Sequence, residues 1–396
     1  MAYRRKQYEI IASRIKEPRN KIQVLLGPRQ VGKSTLISQV LKDSSIPYTM
    51  VKADNVISTD TGWINYIWRS VRGTMVSKHD KEHLLVIDEI QKIANWSEAV
   101  KEEWDSDSEN QINLKVVLLG SSRLMLQFGL KESLAGRFEL IRMGHWTYSE
   151  MQQAFGLTLD EYIYFGGYPG SASFIKDEAR WKRYIKDSIV SPAIEKDVVM
   201  TSRIYKPVLM KRLMQLGCAY STKELSLTKV LGKLQDVGNV TTLAGYLDLL
   251  RQCQMLCGLQ KYAIDDARKY NSVPKFEVFN NALLTAFHRE RFETVRSDAE
   301  LWGRWVESAV GAHILSFSEE EDYQVFYWRD RNNEVDFIIV SDYGCVALEV
   351  KSGRRSAGRG MTVFNAKFHP TQTYIIGTGG ISIEEFLQME VPKLLW

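Results

Sequence analysis

A glycine-rich segment between an apolar run and a helical pattern constrains this sequence more than any other feature. The segment runs from Gly27 to Thr35, reads GPRQVGKST, and fits the pattern GxxxxGK[ST] at every fixed position. The apolar run KIQVLL precedes the segment, and KSTLISQVLKD continues from it with apolar residues at helical spacing. A strand, a glycine-rich turn and a helix in this order predict a loop whose backbone N–H groups bind phosphates.

Each residue type in this loop has a physical reason. Glycines let the backbone turn so that amide groups point inward, and a helix starting near Lys33 adds the positive end of its dipole. Lys33 supplies a mobile charge for the β and γ phosphates, and the Ser34 hydroxyl is a ligand for Mg²⁺. The sequence therefore predicts binding of ATP with Mg²⁺. The predicted nucleotide-binding residues are Gly27, Pro28, Arg29, Gln30, Val31, Gly32, Lys33, Ser34 and Thr35.

A second apolar run, HLLVIDEIQ, ends in the acidic residues Asp88 and Glu89. Carboxylates at the end of a buried strand are costly to desolvate without a compensating cation. We expect Asp88 to hold the Mg²⁺ ion together with Ser34. Glu89 is expected to polarise the attacking water as the general base. A pair of acids that only faces solvent is the alternative interpretation.

Two further candidates for the hydrolytic site come from shorter patterns. A third apolar run, LKVVLLG, leads into Ser121, which we expect at the strand tip as a sensor of the γ phosphate or of the attacking water. Arg137 follows the small-residue turn SLAG. Arginine is suited to stabilising charge on a transferring phosphoryl group, often from a neighbouring subunit. A simple turn at Ser121 and a structural arginine at position 137 are the alternatives.

Three zones of the sequence differ in pattern. Residues 1–155 alternate short β-branched runs with amphipathic segments, which predicts an α/β domain built on a parallel sheet. Residues 156–295 are mostly helical, and STKELSLTKVLGKL, TTLAGYLDLLRQCQML and MLCGLQKYA have the order of a winged helix-turn-helix. Residues 296–396 begin with the helical pattern LWGRWVESAVGAHILSF. Strands are predicted after it in YQVFYWRD, EVDFIIVS, CVALEVKS and TYIIGTG.

Together these motifs resemble a known family. GPRQVGKST, LLVIDEIQK, LLGSS, SLAGRFE, the run Gly166-Gly167-Tyr168-Pro169, and then EVDF and LEVKS are similar to the prokaryotic AAA-type ATPases with a C-terminal DUF4143 domain. The resemblance implies an AAA-superfamily core, an arginine-finger role for Arg137, and oligomers with ATP between subunits. Two positions depart from the family pattern. The stretch 141–151 matches the usual proline-containing segment loosely, and Asn280 stands where aspartate is common.

The last zone carries acidic residues on two neighbouring predicted strands. Asp336 lies in EVDF, and Glu349 and Lys351 lie two apart in LEVKS and so on one face of a strand, with Glu307 on the preceding helix. This set is similar to the PD-(D/E)xK nuclease core. Asp336 and Glu349 would then hold a second Mg²⁺ or Mn²⁺ ion, and Lys351 would position the water. Paired carboxylates on an edge strand are the alternative, and a fold does not establish cleavage.

Clustered basic residues favour DNA as the partner, because they would neutralise phosphates. They are Lys206, Lys211, Arg212, Lys351, Arg354, Arg355 and Arg359. In the predicted recognition helix, Thr241, Thr242 and Tyr246 are polar enough to meet DNA, although Asp248 opposes it. A solvated basic face is the alternative, and winged helices also dock proteins.

No apolar run approaches the ~18 residues of a membrane helix, and no apolar stretch follows the basic N-terminus. Four scattered cysteines, Cys218, Cys253, Cys257 and Cys345, are typical of reduced thiols. We therefore predict a cytoplasmic protein that does not bind membranes.

Three functions follow from these patterns. The leading hypothesis is a homo-oligomeric ATPase that acts on DNA, including branched or junction DNA. An ATP-gated, metal-dependent nuclease uses the same residues but cuts DNA. A nucleotide-switched regulator would instead bind a protein partner through the winged helix.

Overall fold

A computed structural model describes residues 3–57, 59–60, 62–120, 133–198, 206–234, 239–264, 272–353 and 358–394. Contacts within the chain divide it into two compact units, Met1–Met143 and Gly144–Trp396. The three-domain division, with boundaries near residues 155 and 295, stays a prediction.

A five-stranded parallel sheet forms the centre of the first unit, with strand order β2-β3-β4-β1-β5. The α/β fold predicted for this part of the chain is therefore confirmed. The elements are α1 (Gln7–Arg14), β1 (Ile22–Leu26), α2 (Lys33–Asp43), β2 (Tyr48–Lys52), α3 (Gly62–Lys78), β3 (His83–Asp88), α4 (Trp96–Glu109), β4 (Leu114–Gly120) and β5 (Phe138–Arg142).

The continuous apolar runs of this unit became its central strands. Every residue of β3 and β4 is buried, as expected for strands covered on both faces. Trp68 of α3 and Trp104 of α4 pack in the core cluster that also contains Leu85 and Ile87. The sequence patterns did not indicate β2 and β5, because both lie at sheet edges. Their residues are mostly half-buried or exposed, so neither forms a long apolar run.

The second unit begins with helices and ends with a mixed sheet. Its first part contains α5 (Tyr148–Phe155), α6 (Leu159–Phe165), α7 (Glu178–Tyr184), α8 (Pro207–Ala219), α9 (Leu227–Leu234), α10 (Val240–Gln252), β6 (Leu256–Leu259), β7 (Lys275–Val278), α11 (Asn281–Phe287) and α12 (Phe292–Ser297). The helical pattern from residue 178 is α-helical only in α7. It continues as π-helical turns, Ile185–Val190 and Ala193–Val198.

The elements α9, α10, β6 and β7 follow one another along the chain, and the winged helix-turn-helix stays a prediction. β6 and β7 pair antiparallel from Leu256↔Val278 to Leu259↔Lys275. Tyr246 of α10 is 7% exposed, and its hydroxyl accepts a hydrogen bond from the backbone N–H of Lys206 at 3.1 Å. The expectation that Tyr246 meets DNA is therefore wrong, because this side chain packs inward. Thr241 is exposed and Thr242 half-exposed.

Asn280, the departure from the family pattern, joins the Gly-Gly-Tyr-Pro motif to the start of α11. Its side-chain oxygen accepts from the backbone N–H groups of Gly167 at 3.0 Å and Ala282 at 3.1 Å. A Cβ on Gly166 would lie 2.1 Å from that oxygen. Glycine is therefore required at position 166, where φ is +68°.

The predicted C-terminal strands are confirmed as a four-stranded sheet with the order β11-β10-β9-β8. β8, β9 and β10 pair antiparallel, and β11 lies parallel to β10. The elements are α13 (Ala299–Ser318), β8 (Gln324–Asp330), β9 (Asn333–Ser341), β10 (Gly344–Lys351), α14 (Arg359–Phe368), β11 (Gln372–Gly377) and α15 (Ile383–Gln388). Across the ranges that the structure describes, no helix has the length and apolar character needed to span a bilayer.

Candidate functional site

The loop between β1 and α2 has the backbone that its glycines predict. A Cβ on Gly27 would lie 2.1 Å from the carbonyl oxygen of Met143, whose N–H donates to Leu26 at 2.7 Å. Only glycine fits so close an approach of two backbones. Gln30, with φ of +65°, and Gly32, with φ of +93°, adopt the left-handed conformation. Such turns bring successive N–H groups to one side of a loop, where they bind anions.

Lys33 is the first residue of α2 and lies against the same loop. Its side chain is 7% exposed, and its ammonium donates to the carbonyl oxygens of Gly27 at 2.7 Å and Pro28 at 2.8 Å. The first N–H groups of an α-helix have no partner within the helix, and the helix dipole places positive charge at this end. Lysine, loop and helix end together favour a phosphate ligand.

Ser34 and Asp88 come into direct contact. The hydroxyl of Ser34 donates to Oδ2 of Asp88 at 2.7 Å. Asp88 is the last residue of β3 and is 5% exposed. Hydroxyl and carboxylate oxygens are the hard ligands that Mg²⁺ prefers. The donor set therefore fits the Mg²⁺ ion that accompanies ATP.

Glu89 follows Asp88 directly, at the carboxyl end of β3. It has φ of +56°, and its carboxylate accepts a hydrogen bond from the side-chain amide of Gln91. Gln91 is buried in the short 3₁₀ turn Ile90–Lys92, so the amide holds one orientation of the carboxylate. The sequence motifs predicted no role for Gln91. Its position two residues after Glu89 in the acidic motif was the available signal.

The third candidate, Ser121, lies outside the described residues. β4 ends at Gly120 and lies between β1 and β3 in the sheet. Because the strands are parallel, the carboxyl end of β4 lies between the phosphate-binding loop and Asp88.

Arg137 lies at the amino end of the parallel strands, whereas the phosphate-binding loop lies at their carboxyl end. It directly precedes β5, which is parallel to β1 with Ile22 opposite Phe138, whereas the phosphate-binding loop follows Leu26. A five-residue strand therefore separates Arg137 from the loop of its own chain, about 16 Å along the sheet. The guanidinium forms a two-point contact with Asp105, at 2.7 and 2.9 Å. The hydrogen bond to Asp105 raises the pKa of Arg137.

Two residues of the predicted nuclease site, Glu307 and Asp336, lie beside a buried lysine that no sequence motif had indicated. Lys275, the first residue of β7, is 0% exposed, and its ammonium lies 2.6 Å from Oε1 of Glu307 and 3.9 Å from Oε1 of Glu334. It also donates to the backbone carbonyl of Asp336 at 3.3 Å. Burial alone lowers the pKa of Lys275, but the carboxylates of Glu307, Asp336 and Glu334 outweigh burial and raise it. Lys275 stands in the strand-like run PKFEVF, and only that context could have indicated its burial.

Glu349 and Lys351 pair with each other. Oε1 of Glu349 lies 2.6 Å from the Lys351 ammonium and accepts from the N–H of Gly358 at 3.1 Å. Oδ2 of Asp336 accepts from the N–H of Val350 at 2.7 Å. Among the residues that the structure describes, no group of three or more His, Cys, Asp or Glu side chains could hold a metal ion.

Glu277 lies beside this cluster, two residues after Lys275. Its Oε1 accepts from the hydroxyls of Ser221 at 2.8 Å and Ser308 at 3.0 Å, and its Oε2 is buried without a hydrogen bond. Burial raises the pKa of Glu277 to about 8. The group is therefore largely protonated at neutral pH.

Several basic residues that were predicted to meet DNA have partners within the chain. The ammonium of Lys211 lies 2.5 Å from Glu195, and the Arg212 guanidinium donates to the carbonyl of Leu234 at 3.2 Å. Arg354 and Arg355 lie outside the described residues, and Arg359 is exposed.

Comparisons with known proteins agree with this architecture. Residues 19–152 match the model of an AAA domain, residues 156–293 match a domain of unknown function, DUF8612, and residues 302–390 match another, DUF4143. No curated protein matches the sequence.

Two solved structures are similar to this chain at low identity. The Thermotoga maritima RuvB Holliday junction branch migration motor is 18% identical, with 64% of this chain and 87% of that chain covered and a TM-score of 0.35. The Aeropyrum pernix ORC1 protein in complex with DNA is 11% identical, with 73% and 92% covered and a TM-score of 0.34. TM-scores this low carry no argument about function.

Proposed function

We propose that this chain, which joins an AAA domain with the fold of an ATPase to a C-terminal DUF4143 domain, binds ATP with Mg²⁺ and hydrolyses it. The observation that carries the proposal is the 2.7 Å hydrogen bond from Ser34 to Asp88. It joins the phosphate-binding loop to the acidic strand end, two motifs more than fifty residues apart in the sequence.

Each residue of the site has one role in the proposal. The loop amides and Lys33 bind and neutralise the phosphates. Ser34 and Asp88 hold Mg²⁺, which when bound neutralises charge on the phosphate oxygens. Glu89 accepts the proton of the attacking water, and Gln91 holds the Glu89 carboxylate in one orientation. Ser121 stays a candidate for orienting that water.

Phosphate release and nucleotide binding by the full chain test this proposal. We expect Lys33→Ala and Asp88→Asn to lose most of the turnover, and Lys33→Ala to bind ATP weakly. Lys42→Ala, at an exposed position on the same helix, is the matched control. Undiminished affinity and turnover in Lys33→Ala would contradict the proposal.

We place the arginine finger in a second copy of this chain, because Arg137 lies one strand length away from the loop of its own subunit. A subunit with Lys33→Ala keeps its Arg137, and a subunit with Arg137→Ala keeps its loop. Each variant alone should be inactive, and their mixture should recover ATPase activity if the two copies share sites. Mixed oligomers that form without recovering activity would exclude Arg137 as the finger.

DNA is the proposed partner of the helical region. Exposed Lys229 and Lys233 on α9 and exposed Thr241 on α10 support this proposal. Binding of duplex, single-stranded and junction DNA should weaken steeply with salt and should change the ATPase rate. An ATPase rate that no nucleic acid alters, together with no binding at low salt, would contradict it.

A protein partner is the second candidate. The internal contacts of Lys211, Arg212 and Lys351 favour it, because charges used within the chain contribute less to phosphate binding. Glu89→Gln should then retain a protein partner in a pull-down that resists nuclease treatment. Loss of the partner on nuclease treatment would favour DNA instead. For either partner, the cytoplasm is the proposed location.

A further inference from the structure

The side chain of Lys275 lies at the centre of the acidic groups in the C-terminal part of the chain. Its ammonium is 2.6 Å from Glu307, 3.9 Å from Glu334, and 3.3 Å from the carbonyl oxygen of Asp336. It also lies 5.0 Å from the ring centroid of Phe337, within the distance of a cation–π contact. Carboxylate, carbonyl and aromatic groups thus surround one fixed positive charge.

A buried ammonium and its carboxylate depend on each other. A buried charge without a partner is strongly unfavourable, so Lys275 requires Glu307 as much as Glu307 requires Lys275. A divalent cation that bound Glu307 would lie close to the ammonium and would be repelled by it. Mg²⁺ also needs several oxygen ligands and waters in a near-octahedral arrangement. Lys275 is 0% exposed, and its ammonium contacts both the Glu307 carboxylate and the carbonyl oxygen of Asp336, which takes two oxygens beside the predicted metal ligand Asp336.

The remaining acids already accept hydrogen bonds from fixed donors. Asp336 accepts from the N–H of Val350 at 2.7 Å. Glu349 accepts from Gly358 and pairs with Lys351. Glu307 and Glu349 thus each contact a lysine ammonium at 2.6 Å, so two of the three acids are already neutralised and the residues present do not fit the metal ion that a PD-(D/E)xK nuclease core would require.

We infer that Lys275 is the permanent counter-ion of Glu307 and Glu334 and takes the place of a divalent metal beside Asp336. Through its ammonium, Lys275 connects β7 to Glu307 on α13 and to Glu334 and Asp336 near the start of β9. The C-terminal sheet accordingly serves as a binding or structural module and does not hydrolyse DNA through a metal ion. This inference is independent of the proposed ATPase activity.

Titration of the full chain with Mn²⁺, followed by electron paramagnetic resonance of the free ion, tests the inference. The protein is kept free of nucleotide and carries Asp88→Asn, so that the first unit contributes no Mn²⁺ binding. With Lys275 intact we expect no saturable binding and no change of the melting temperature with Mn²⁺. Lys275→Ala should increase the affinity for Mn²⁺ at least tenfold, and adding Asp336→Asn should remove that gain. Lys223→Ala, at an exposed position nearby, is the control.

Two outcomes would overturn the inference. The first is saturable Mn²⁺ binding in the protein with Lys275 intact, abolished by Glu307→Gln or Asp336→Asn. The second is a folded Lys275→Ala protein that gains no affinity, because the ammonium would then not be what excludes the metal. If Lys275→Ala does not fold, the titration of the protein with Lys275 intact still decides the matter.

Discussion

The phosphate-binding loop and the C-terminal carboxylate cluster contain the same kinds of side chain in opposite arrangements. At the loop, the Asp88 carboxylate accepts from a neutral hydroxyl, and the Lys33 ammonium contacts neutral carbonyl oxygens. In the C-terminal cluster, the ammonium of Lys275 contacts the Glu307 carboxylate directly, and Lys351 contacts Glu349. The recorded contacts of Asp88 and Lys33 at the loop are thus to neutral groups, whereas in the cluster an acid and a base contact each other.

Under our two proposals, this difference separates a site for chemistry from a structural site. A carboxylate and an ammonium that contact neutral groups can bind a cation and an anion, respectively, at the same time. Mg²⁺ and a triphosphate require such an arrangement. Opposite charges that contact each other are neutralised already, and they contribute to stability only while both are present. Removing a charge should therefore change rate in the first unit and stability in the second.

The largest expected effect is on turnover at Glu89. Glu89→Gln removes the proton acceptor but keeps the shape and the contact with Gln91, so kcat should fall by roughly 10² to 10⁴-fold. Affinity for ATP and the melting temperature should stay unchanged. Phosphate release measures kcat, nucleotide binding measures the affinity, and thermal unfolding measures the melting temperature. The exposed Glu98→Gln is the control. A loss of stability without a loss of turnover would reverse our comparison.

Lys275→Met should have the next largest effect, on the free energy of unfolding. It leaves the Glu307 carboxylate, whose side chain is 23% exposed, without its counter-ion, and breaking a pair with one fully buried member costs about 3–5 kcal/mol. Urea unfolding at neutral pH measures this loss. Adding Glu307→Gln should recover part of it, because the unpaired charge is then gone.

An exposed ion pair provides the control for that measurement. The ammonium of Lys367 lies 3.5 Å from Asp330, and both side chains are about half exposed. Lys367→Met should cost no more than about 1 kcal/mol. An equal loss in Lys275→Met and Lys367→Met would show that the buried lysine does not stabilise the fold.

Glu277 predicts a dependence of stability on pH. Burial raises the pKa of Glu277 from 4.5 to about 8, so the folded state binds a proton that the unfolded state releases between these values. Stability should therefore decrease as pH rises from about 5 to 8, by at most about 1.4 kcal/mol per pH unit from this group. Unfolding measured across that range should show a shallower slope in Glu277→Gln. The exposed Glu293→Gln should keep the full slope, and an equal slope in both variants would exclude Glu277 as the source.

A smaller effect than at Lys275 is expected at Lys351. Lys351→Ala removes one partly exposed contact to Glu349, with an expected loss of about 1–2 kcal/mol of stability. Nicking of plasmid DNA with Mn²⁺ should stay at background in both the parent chain and the variant. Lys393→Ala, a highly exposed lysine, serves as the control. Parent-chain nicking that Lys351→Ala abolishes would make this lysine catalytic and would contradict a structural role for the C-terminal acids.

Much of the local structure was predictable from the sequence alone. Helix α2 spans Lys33–Asp43, the whole of the predicted segment, and the apolar runs of the first unit became β1, β3 and β4. The C-terminal strands β8 to β11 also follow their predicted segments. These elements were predictable because the spacing of apolar residues and the turn residues between them determine structure over a few neighbouring positions.

The edge strands β2 and β5 were not predictable in this way. An edge strand has a neighbouring strand on one side only and is less completely buried, so its sequence contains a shorter run of apolar residues. The burial of Tyr246 was also missed, because a polar hydroxyl on a helix does not indicate which side of that helix packs inward.

The sequence by itself determined the phosphate-binding loop, because glycine, lysine and serine act there within nine consecutive positions. Only the tertiary structure decided which charges meet. Lys275 contacts residues 32 and more positions away, and Arg137 contacts Asp105 from another element. Coulomb energy depends on distance and burial, and both arise only when the elements pack. Glu307, Glu349 and Lys351 were therefore visible in the sequence, but the ammonium of Lys275 that pairs with Glu307 was not.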